Sequence, residues 1–307
     1  MKIILTDEMR YCPEELPQGY KVVRVNEKTL ANYSDNDDVE VVLGTRALVR
    51  ALYGISLPSC KLVQLFSVGY DDIDLDWFKQ KSIPLCNASG IYDNVLAEYV
   101  VYALLLYAKR FHRSLKNRWF RPLRNYHYIT ELAGKTVGIM GCGRIASAVV
   151  RRLAGFDMTI IGYAQHTESK EGFLRIYHKE SIDEFFSRCD YVVNTLPHDK
   201  STIGLIDNGV LSYAKSNMTF INIGRDSIFN KDDFYQFLKS HKDMTAILDM
   251  YELLPNPITN KYRRLSNVLV TPRVASVSPE STMALKELIK DNIHAVVNNK
   301  QLSNRII

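Results

Sequence analysis

The chain has 307 residues, of which 46% are hydrophobic and 24% charged, with a formal net charge of +5 at pH 7. These values are ordinary for a globular protein and leave room for two domains with a sizeable core. The mild positive excess suits anionic small ligands without calling for nucleic acid, and the longest apolar run, 99–108, is too short to span a bilayer.

Residues 1–98 alternate β-rich and helical stretches. Strands are predicted at 2–5, 21–25, 39–43, 61–66 and 83–86, the pattern of a parallel sheet with helices on its faces. The opening run reads as a first strand rather than a signal peptide, because acids follow it at once. Two strand ends, FSVGYDDID at 66–74 and CNASGIYDN at 86–94, carry polar residues where open α/β sheets gather ligands. Backbone N–H groups around Val68 and Gly69 can hold a carboxylate; an ordinary turn with Asp caps fits the same residues. From Asn94 to about residue 118, the spacing of Leu96, Val100, Ala103, Leu104 and Tyr107 predicts one long helix. Its basic, aromatic tail, including Lys109, Arg110, Lys116, Arg118 and Trp119, suits a solvated face near anionic phosphates better than a nucleic-acid surface.

Residues 132–164, LAGKTVGIMGCGRIASAVVRRLAGFDMTIIGYA, carry the central motif. A strand at 136–140 runs into Gly141-Cys142-Gly143, a helix starts near Arg144, and a second β-rich run covers 158–163. Gly141 permits the tight turn, Gly143 lets the backbone approach a pyrophosphate at the helix N-terminus, and Ala146 takes the small packing position. This predicts a dinucleotide site. Such sites usually place an acid at the end of the second strand for the adenosine ribose. Here the strand ends Gly162-Tyr163-Ala164-Gln165-His166-Thr167. Without that charge a 2′-phosphate is not repelled, and His166, Thr167 and Lys170 can donate to one. NADP is therefore preferred over NAD, while loss of the acid from a solvated loop remains the plainer alternative.

The alternation continues with strands at 175–178, 191–195, 219–223, 245–248 and 268–270, and helices at 181–188, 207–214, 231–240 and 279–299. Polar candidates again sit just past strands, at Leu196-Pro197-His198, Gly224-Arg225-Asp226, Asp249 and Thr271-Pro272-Arg273. The last helix carries Leu285, Ile289, Ile293 and Val296 on one face and can pack back on the first domain. The five cysteines, Cys12, Cys60, Cys86, Cys142 and Cys189, lack C-x-x-C spacing and read as reduced thiols of a cytoplasmic protein. The seven histidines show no ligand spacing, so no metal site is predicted.

These segments resemble a known family. SVGYDDID (67–74), NVLAE (94–98), LAGKTVGIMGCGRIA (132–146), CDYVVNTLPHDKSTIGLID (189–207), FINIGRDSI (220–228), LDMYE (248–252) and NVLVTP (267–272) follow the order found in D-isomer-specific 2-hydroxyacid dehydrogenases. The chain resembles them, the glyoxylate/hydroxypyruvate reductases in particular, over nearly its whole length. The resemblance implies an α/β fold of two doubly wound domains: a Rossmann NAD(P)-binding domain, 99–283, inserted into a flavodoxin-like substrate domain, 1–98 plus 284–307. It also implies an active site in the cleft, a small 2-keto or 2-hydroxy acid as substrate, and a homodimer built largely through the cofactor domains. By position, Arg225 resembles the arginine that grips the substrate carboxylate and polarises its carbonyl, a task suited to a planar, charged fork of donors. Ser67, Val68 and Gly69 resemble the backbone carboxylate clamp, and Asn94 a polar position beside the substrate. Gly141, Gly143, Arg144 and Ile145 resemble the pyrophosphate turn, with Ala164 at the adenosine side. Thr195, Leu196, Pro197 and Thr202 resemble the loop covering the cofactor, Ile223 and Gly224 its nicotinamide side, and Asp249 the acid at the nicotinamide end.

Two catalytic positions depart from the family. Its members carry a histidine directly after the Thr-Pro pair, where this chain has Arg273. The glutamate that tunes that histidine lies five residues past the strand-end aspartate, which here is Leu254; Glu252 comes two residues early. Arginine can stabilise negative charge on a substrate oxygen but is a poor acid near neutral pH. Loss of acid–base help typically costs ~100- to 10,000-fold in rate. Two readings stand. One is an NAD(P)-dependent reductase or dehydrogenase using Arg225 and Arg273, suited together to a substrate with two anionic groups, and drawing its proton from His198, Tyr92, Tyr251 or water. The other is a protein that keeps its cofactor and carboxylate sites, has lost turnover, and acts as a sensor.

Overall fold

The computed structural model describes residues 2–110, 129–166, 168–249 and 261–307, and the Val-, Ile- and Leu-rich runs within them form two all-parallel sheets. The chain divides into two compact units, Met1–Tyr92 with Ser278–Ile307, and Asp93–Val277. Both junctions coincide with helix starts. The boundaries read from the sequence, 98/99 and 283/284, fall inside the same two helices, Asp93–Ala108 and Pro279–Val297.

The first unit contains β1 (Lys2–Thr6), β2 (Tyr20–Arg24), β3 (Val39–Gly44), β4 (Leu62–Leu65) and β5 (Leu85–Cys86), in the doubly wound order β2-β1-β3-β4-β5. β3 and β4 are buried at every position, as befits parallel strands covered on both faces. Helices α1 (Arg46–Ala51) and α2 (Leu75–Lys81) start at capping side chains, Thr45 and Asp74. The C-terminal helix Pro279–Val297 opens with a capping box between Ser278 and Ser281 and a proline in its first turn. Its Leu285, Ile289, Ile293 and Val296 cluster with Ile4, Val41, Leu43 and Leu62, and each such buried side chain contributes roughly 1.5–3 kcal/mol. The docking expected from its apolar spacing is therefore present.

The second unit runs α3 (Asp93–Ala108), β6 (Thr136–Met140), α4 (Arg144–Leu153), β7 (Thr159–Tyr163), β8 (Arg175–Tyr177), α5 (Ile182–Arg188), β9 (Tyr191–Asn194), α6 (Asn208–Leu211), β10 (Thr219–Asn222), α7 (Lys231–Ser240), β11 (Thr245–Leu248) and β12 (Val268–Val270). Its seven-stranded sheet has the order β12-β11-β10-β9-β6-β7-β8. Strand order reverses between β6 and β9, the switch point at which such sheets hold ligands. Close packing beneath that point requires Gly138: a Cβ there would enter the space of Cys189 and the Phe185 ring. The helix expected over 207–214 keeps α geometry only at Asn208–Leu211. Beyond it, Tyr213 and Ala214 donate to carbonyls three residues back, and the Ser212 hydroxyl donates to Gly209 O at 2.6 Å. Gly209 and Ser212 are weak helix formers, and the segment tightens into 3₁₀-type turns. The basic tail from Phe111 onward lies outside the described residues.

Candidate active site

β6 ends in a turn that only glycine forms without strain. Gly141 has φ +90°, and a Cβ there would lie 2.8 Å from Thr195 Oγ1. Around Gly143, by contrast, a Cβ would find no atom within 4 Å. The first hydrogen bond of α4 runs from Ser147 N–H to Gly143 O, so the N–H groups of Arg144 and Ile145 have no acceptor inside the helix. With the helix dipole they form an anion site in open space, which fits a dinucleotide pyrophosphate. Ala146 is fully buried and lets α4 lie close to the sheet. Arg144 Nε pairs with Asp93 Oδ2 at 3.0 Å. Lys170 Nζ lies 2.6 Å from Cys142 O and 3.2 Å from Gly143 O, which puts a cation on the turn itself. Burial pushes the Cys142 thiol up to about 11, so it stays protonated. Ala164, just past β7, donates its N–H to Tyr177 O, and its carbonyl lies 3.0 Å from His178 Nδ1. His166 is exposed, and Thr167 lies outside the described residues.

Thr195 follows β9, across the switch point, and its hydroxyl lies 3.0 Å from both Met140 O and Gly141 O. Leu196 and Pro197 continue this loop. The buried Thr202 closes it, donating to Pro197 O at 2.8 Å and accepting Asp199 N–H at 3.0 Å, so its hydroxyl is engaged within the loop. Two residues missed in the sequence order this region. Asn194 and Asn222, fully buried at the ends of β9 and β10, are joined by an amide bond of 2.8 Å from Asn194 Nδ2 to Asn222 Oδ1. Asn194 Oδ1 accepts Leu196 N–H at 3.1 Å, Asn222 Oδ1 accepts Gly224 N–H at 3.0 Å, and Asn222 Nδ2 donates to Arg225 O at 3.2 Å. Gly224 has to be small, because a Cβ would lie 2.7 Å from Asn194 Nδ2 and 2.9 Å from Leu196 O. Ile223 N–H bonds Asn194 O at 3.3 Å. The half-buried Arg225 therefore leaves β10 from a backbone fixed on both sides. The sequence signal for this pair is an Asn at the last position of two strands. His198 is exposed, with Nδ1 2.6 Å from Ser227 Oγ.

β10, β11 and β12 are neighbours, so Arg225, Asp249 and the Thr271–Arg273 turn leave three adjacent strands. Asp249 Oδ1 accepts the Thr271 hydroxyl at 2.6 Å and Val274 N–H at 2.9 Å, and Oδ2 accepts Ala275 N–H at 2.9 Å. Tyr99 Oη lies 2.7 Å from Thr271 Oγ1. Because the Thr271 proton goes to Asp249, the phenol is the donor, and burial pushes it up to about 12, keeping its proton in place. Arg273 is exposed and has φ +52°, a left-handed conformation that costs a residue with a Cβ roughly 1–2 kcal/mol. Tyr251, Glu252 and Leu254 lie outside the described residues.

In the first unit, the turn after β4 has all three carbonyls engaged. Ala88 N–H bonds Ser67 O at 3.0 Å, Asn87 Nδ2 bonds Val68 O at 2.8 Å, and the Ser67 hydroxyl bonds Gly69 O at 2.8 Å. The N–H groups of Val68 and Gly69 have no acceptor among the described residues. Asn87 is braced in turn by Gln64, whose Nε2 donates to Asn87 O at 3.0 Å and whose Oε1 accepts Asn292 Nδ2 at 2.7 Å. The Tyr92 hydroxyl donates to Phe66 O at 2.6 Å, and burial pushes it up to about 12; its proton is committed to that carbonyl. In the second unit, Asn94 Oδ1 accepts Arg152 Nη2 at 3.1 Å, so this side chain is tied to α4.

Residues 100–275 match the sequence model of a family described as D-isomer specific 2-hydroxyacid dehydrogenase, NAD binding domain. The chain is 28% identical over 278 residues to the glyoxylate reductase of Thermofilum pendens, covering 88% of this chain and 81% of that protein. It is 26% identical over 300 residues to glyoxylate/hydroxypyruvate reductase B of Erwinia tasmaniensis, covering 94% and 93%. Among solved structures, an NADPH-dependent glyoxylate/hydroxypyruvate reductase from Sinorhizobium meliloti, in complex with NADP and malonate, aligns with a TM-score of 0.85 at 25% identity, covering 99% of this chain and 96% of that one. With more than half its residues inside the family match and the glycine turn at the switch point of the sheet, the chain belongs to the D-isomer specific 2-hydroxyacid dehydrogenase family, and its second unit is that family's NAD-binding domain.

Proposed function

We propose that the chain is an NAD(P)-dependent oxidoreductase that interconverts a small 2-keto acid and its D-2-hydroxy acid, with Arg225 and Arg273 as its catalytic residues. The observation that carries this reading is the open anion site at Gly143 and the start of α4, in a chain of this family. Relatives named for glyoxylate and hydroxypyruvate reduction support the substrate class. A bound nicotinamide dinucleotide would supply the hydride in one direction and take it up in the other. Arg144 and Ile145 N–H groups would hold its pyrophosphate, with Ala164 on the adenosine side, Thr195, Leu196 and Pro197 as the covering loop, and Ile223 and Gly224 on the nicotinamide side. Thr202 supports that loop from within, and Asp249 stands at the nicotinamide end.

The N–H groups of Val68 and Gly69, shaped by Ser67, bind the substrate carboxylate, and Asn94 contributes a polar contact. Arg225 grips the substrate and polarises its keto oxygen. Arg225 and Arg273 would stabilise the negative charge that develops on that oxygen during reduction. Water supplies the proton, since a guanidinium is a poor donor near neutral pH and the Tyr92 proton is held by Phe66 O. NADP is the preferred cofactor: the residues at 164–166 include no acid, and Lys170 adds a cation at the turn. A homodimer and a cytoplasmic location complete the reading. The five cysteines are free and buried, as suits a reducing compartment. Among the described residues, no helix is long and apolar enough to cross a membrane.

The test is a titration of the purified protein with NADPH and NADH by nicotinamide fluorescence, followed by glyoxylate, hydroxypyruvate and other 2-keto acids. Steady oxidation is expected, at a rate that does not follow an imidazole titration between about pH 6 and 8. Binding without oxidation would replace this reading with that of a cofactor-responsive binding protein, which the Arg273 substitution favours. In that case the double change Arg273→His with Leu254→Glu is expected to restore turnover.

A further inference from the structure

We propose that Asp249 is a positioning residue for Arg273, and that building the left-handed loop which presents this guanidinium is its main task, ahead of any contact with the nicotinamide. The inference rests on the reading above, in which Arg273 touches the substrate.

Both carboxylate oxygens of Asp249 are turned to the loop. They accept the Thr271 hydroxyl at 2.6 Å and the N–H groups of Val274 and Ala275 at 2.9 Å each. An ionised carboxylate has about four acceptor sites. Three are therefore filled from one five-residue segment, Thr271 to Ala275, leaving room for about one more bond. Successive N–H groups beside a left-handed residue form a concavity that binds an anion. Here the chain supplies that anion itself, from the neighbouring strand β11. Arg273 at φ +52° is the left-handed residue. Its conformation is disfavoured for any residue with a Cβ, so it persists only where surrounding bonds over-determine it. Released from Asp249, the residue returns to an ordinary backbone region and its side chain takes a different direction. Tyr99 extends the anchor outward by holding Thr271 Oγ1 at 2.7 Å.

An amide cannot replace this carboxylate. In Asp249→Asn one acceptor becomes a donor and faces an N–H group of the loop. The experiment uses the full chain and the variants Asp249→Asn, Arg273→Ala and their combination. It measures the Kd of NADPH by fluorescence and the Kd of oxalate, a non-reacting anion with two carboxylates, for the NADP complex by calorimetry. Asp249→Asn is expected to weaken oxalate about tenfold or more, matching Arg273→Ala, with NADPH affinity within about threefold and no further loss in the double variant. A tenfold loss of NADPH affinity, or losses that multiply in the double variant, would overturn the proposal and make Asp249 a cofactor ligand. An effect of Arg273→Ala with none from Asp249→Asn would sink this inference alone. An effect of Asp249→Asn with none from Arg273→Ala would sink the catalytic assignment of Arg273 instead. If Asp249→Asn does not fold, Thr271→Val removes one of the three donors. It is expected to weaken oxalate about threefold without changing NADPH affinity, and no change in oxalate binding would count against the proposal.

Discussion

Lys170 is the residue through which the proposed cofactor preference can be tested. Its ammonium is held on the Cys142 and Gly143 carbonyls at 2.6 and 3.2 Å, beside the unpaired N–H groups that open α4. A cation so placed attracts a phosphate nearby, and residues 164–166 include no acid to oppose a further phosphate at the adenosine ribose. Lys170→Ala is therefore expected to raise the NADPH Kd about tenfold while NADH changes by less than about threefold, read by fluorescence at fixed ionic strength. Equal losses for both would assign Lys170 to the pyrophosphate. At this scale the legible residues were those whose chemistry is local. Gly141 announces a backbone requirement, which its φ of +90° and its closeness to Thr195 bear out. The strand-end positions of Asn194 and Asn222 were visible but not their pairing, because an Asn at a strand end reads as a turn former. Their amide pair depends on β9 and β10 being neighbours, which is a property of the sheet.

Elements were legible where burial is continuous. The run VEVVL at 39–43 reads as a strand because a parallel strand covered on both faces carries apolar residues at nearly every position, and β3 is buried throughout. The interruption, Glu40, is a buried carboxylate met by Lys61 Nζ at 2.8 Å, Lys2 Nζ at 3.1 Å and the Tyr20 hydroxyl. Burial alone would raise it, but the hydrogen bonds from Lys61, Tyr20 and Lys2 together hold it below the usual carboxylate range. A carboxylate lowered in the folded state stabilises the fold above its unfolded pKa of about 4.3, and that contribution is lost as pH falls through the folded value. Glu40→Gln is expected to flatten the decline of Tm below about pH 4, measured by thermal melts across pH; an unchanged acid limb would show that other carboxylates govern it. The short α6 escaped reading for the opposite reason. Apolar spacing marks which face is buried, but whether the last turn is α or 3₁₀ rests on small propensities at Gly209 and Ser212.

At the scale of the whole molecule, each unit buries its own apolar clusters, and only one of them is continuous in sequence. Asp93–Val277 made alone is expected to fold and to bind NADPH within about tenfold of the full chain, without turning over 2-keto acids. A cooperative melt and a fluorescence titration check this, and failure to fold would show that its core is incomplete without the flanking residues. The first unit is different, because the helix that covers Ile4, Val41, Leu43 and Leu62 is encoded after the whole of the second. On the ribosome, Met1–Tyr92 emerges before the second unit and waits on the order of tens of seconds for that helix. Through that interval an apolar sheet face stands uncovered, a natural client for a holding chaperone. The order of maturation is then the reverse of the order of synthesis: the inserted unit is finished while the older one is still open, and the helix that seals the older one is translated only afterwards.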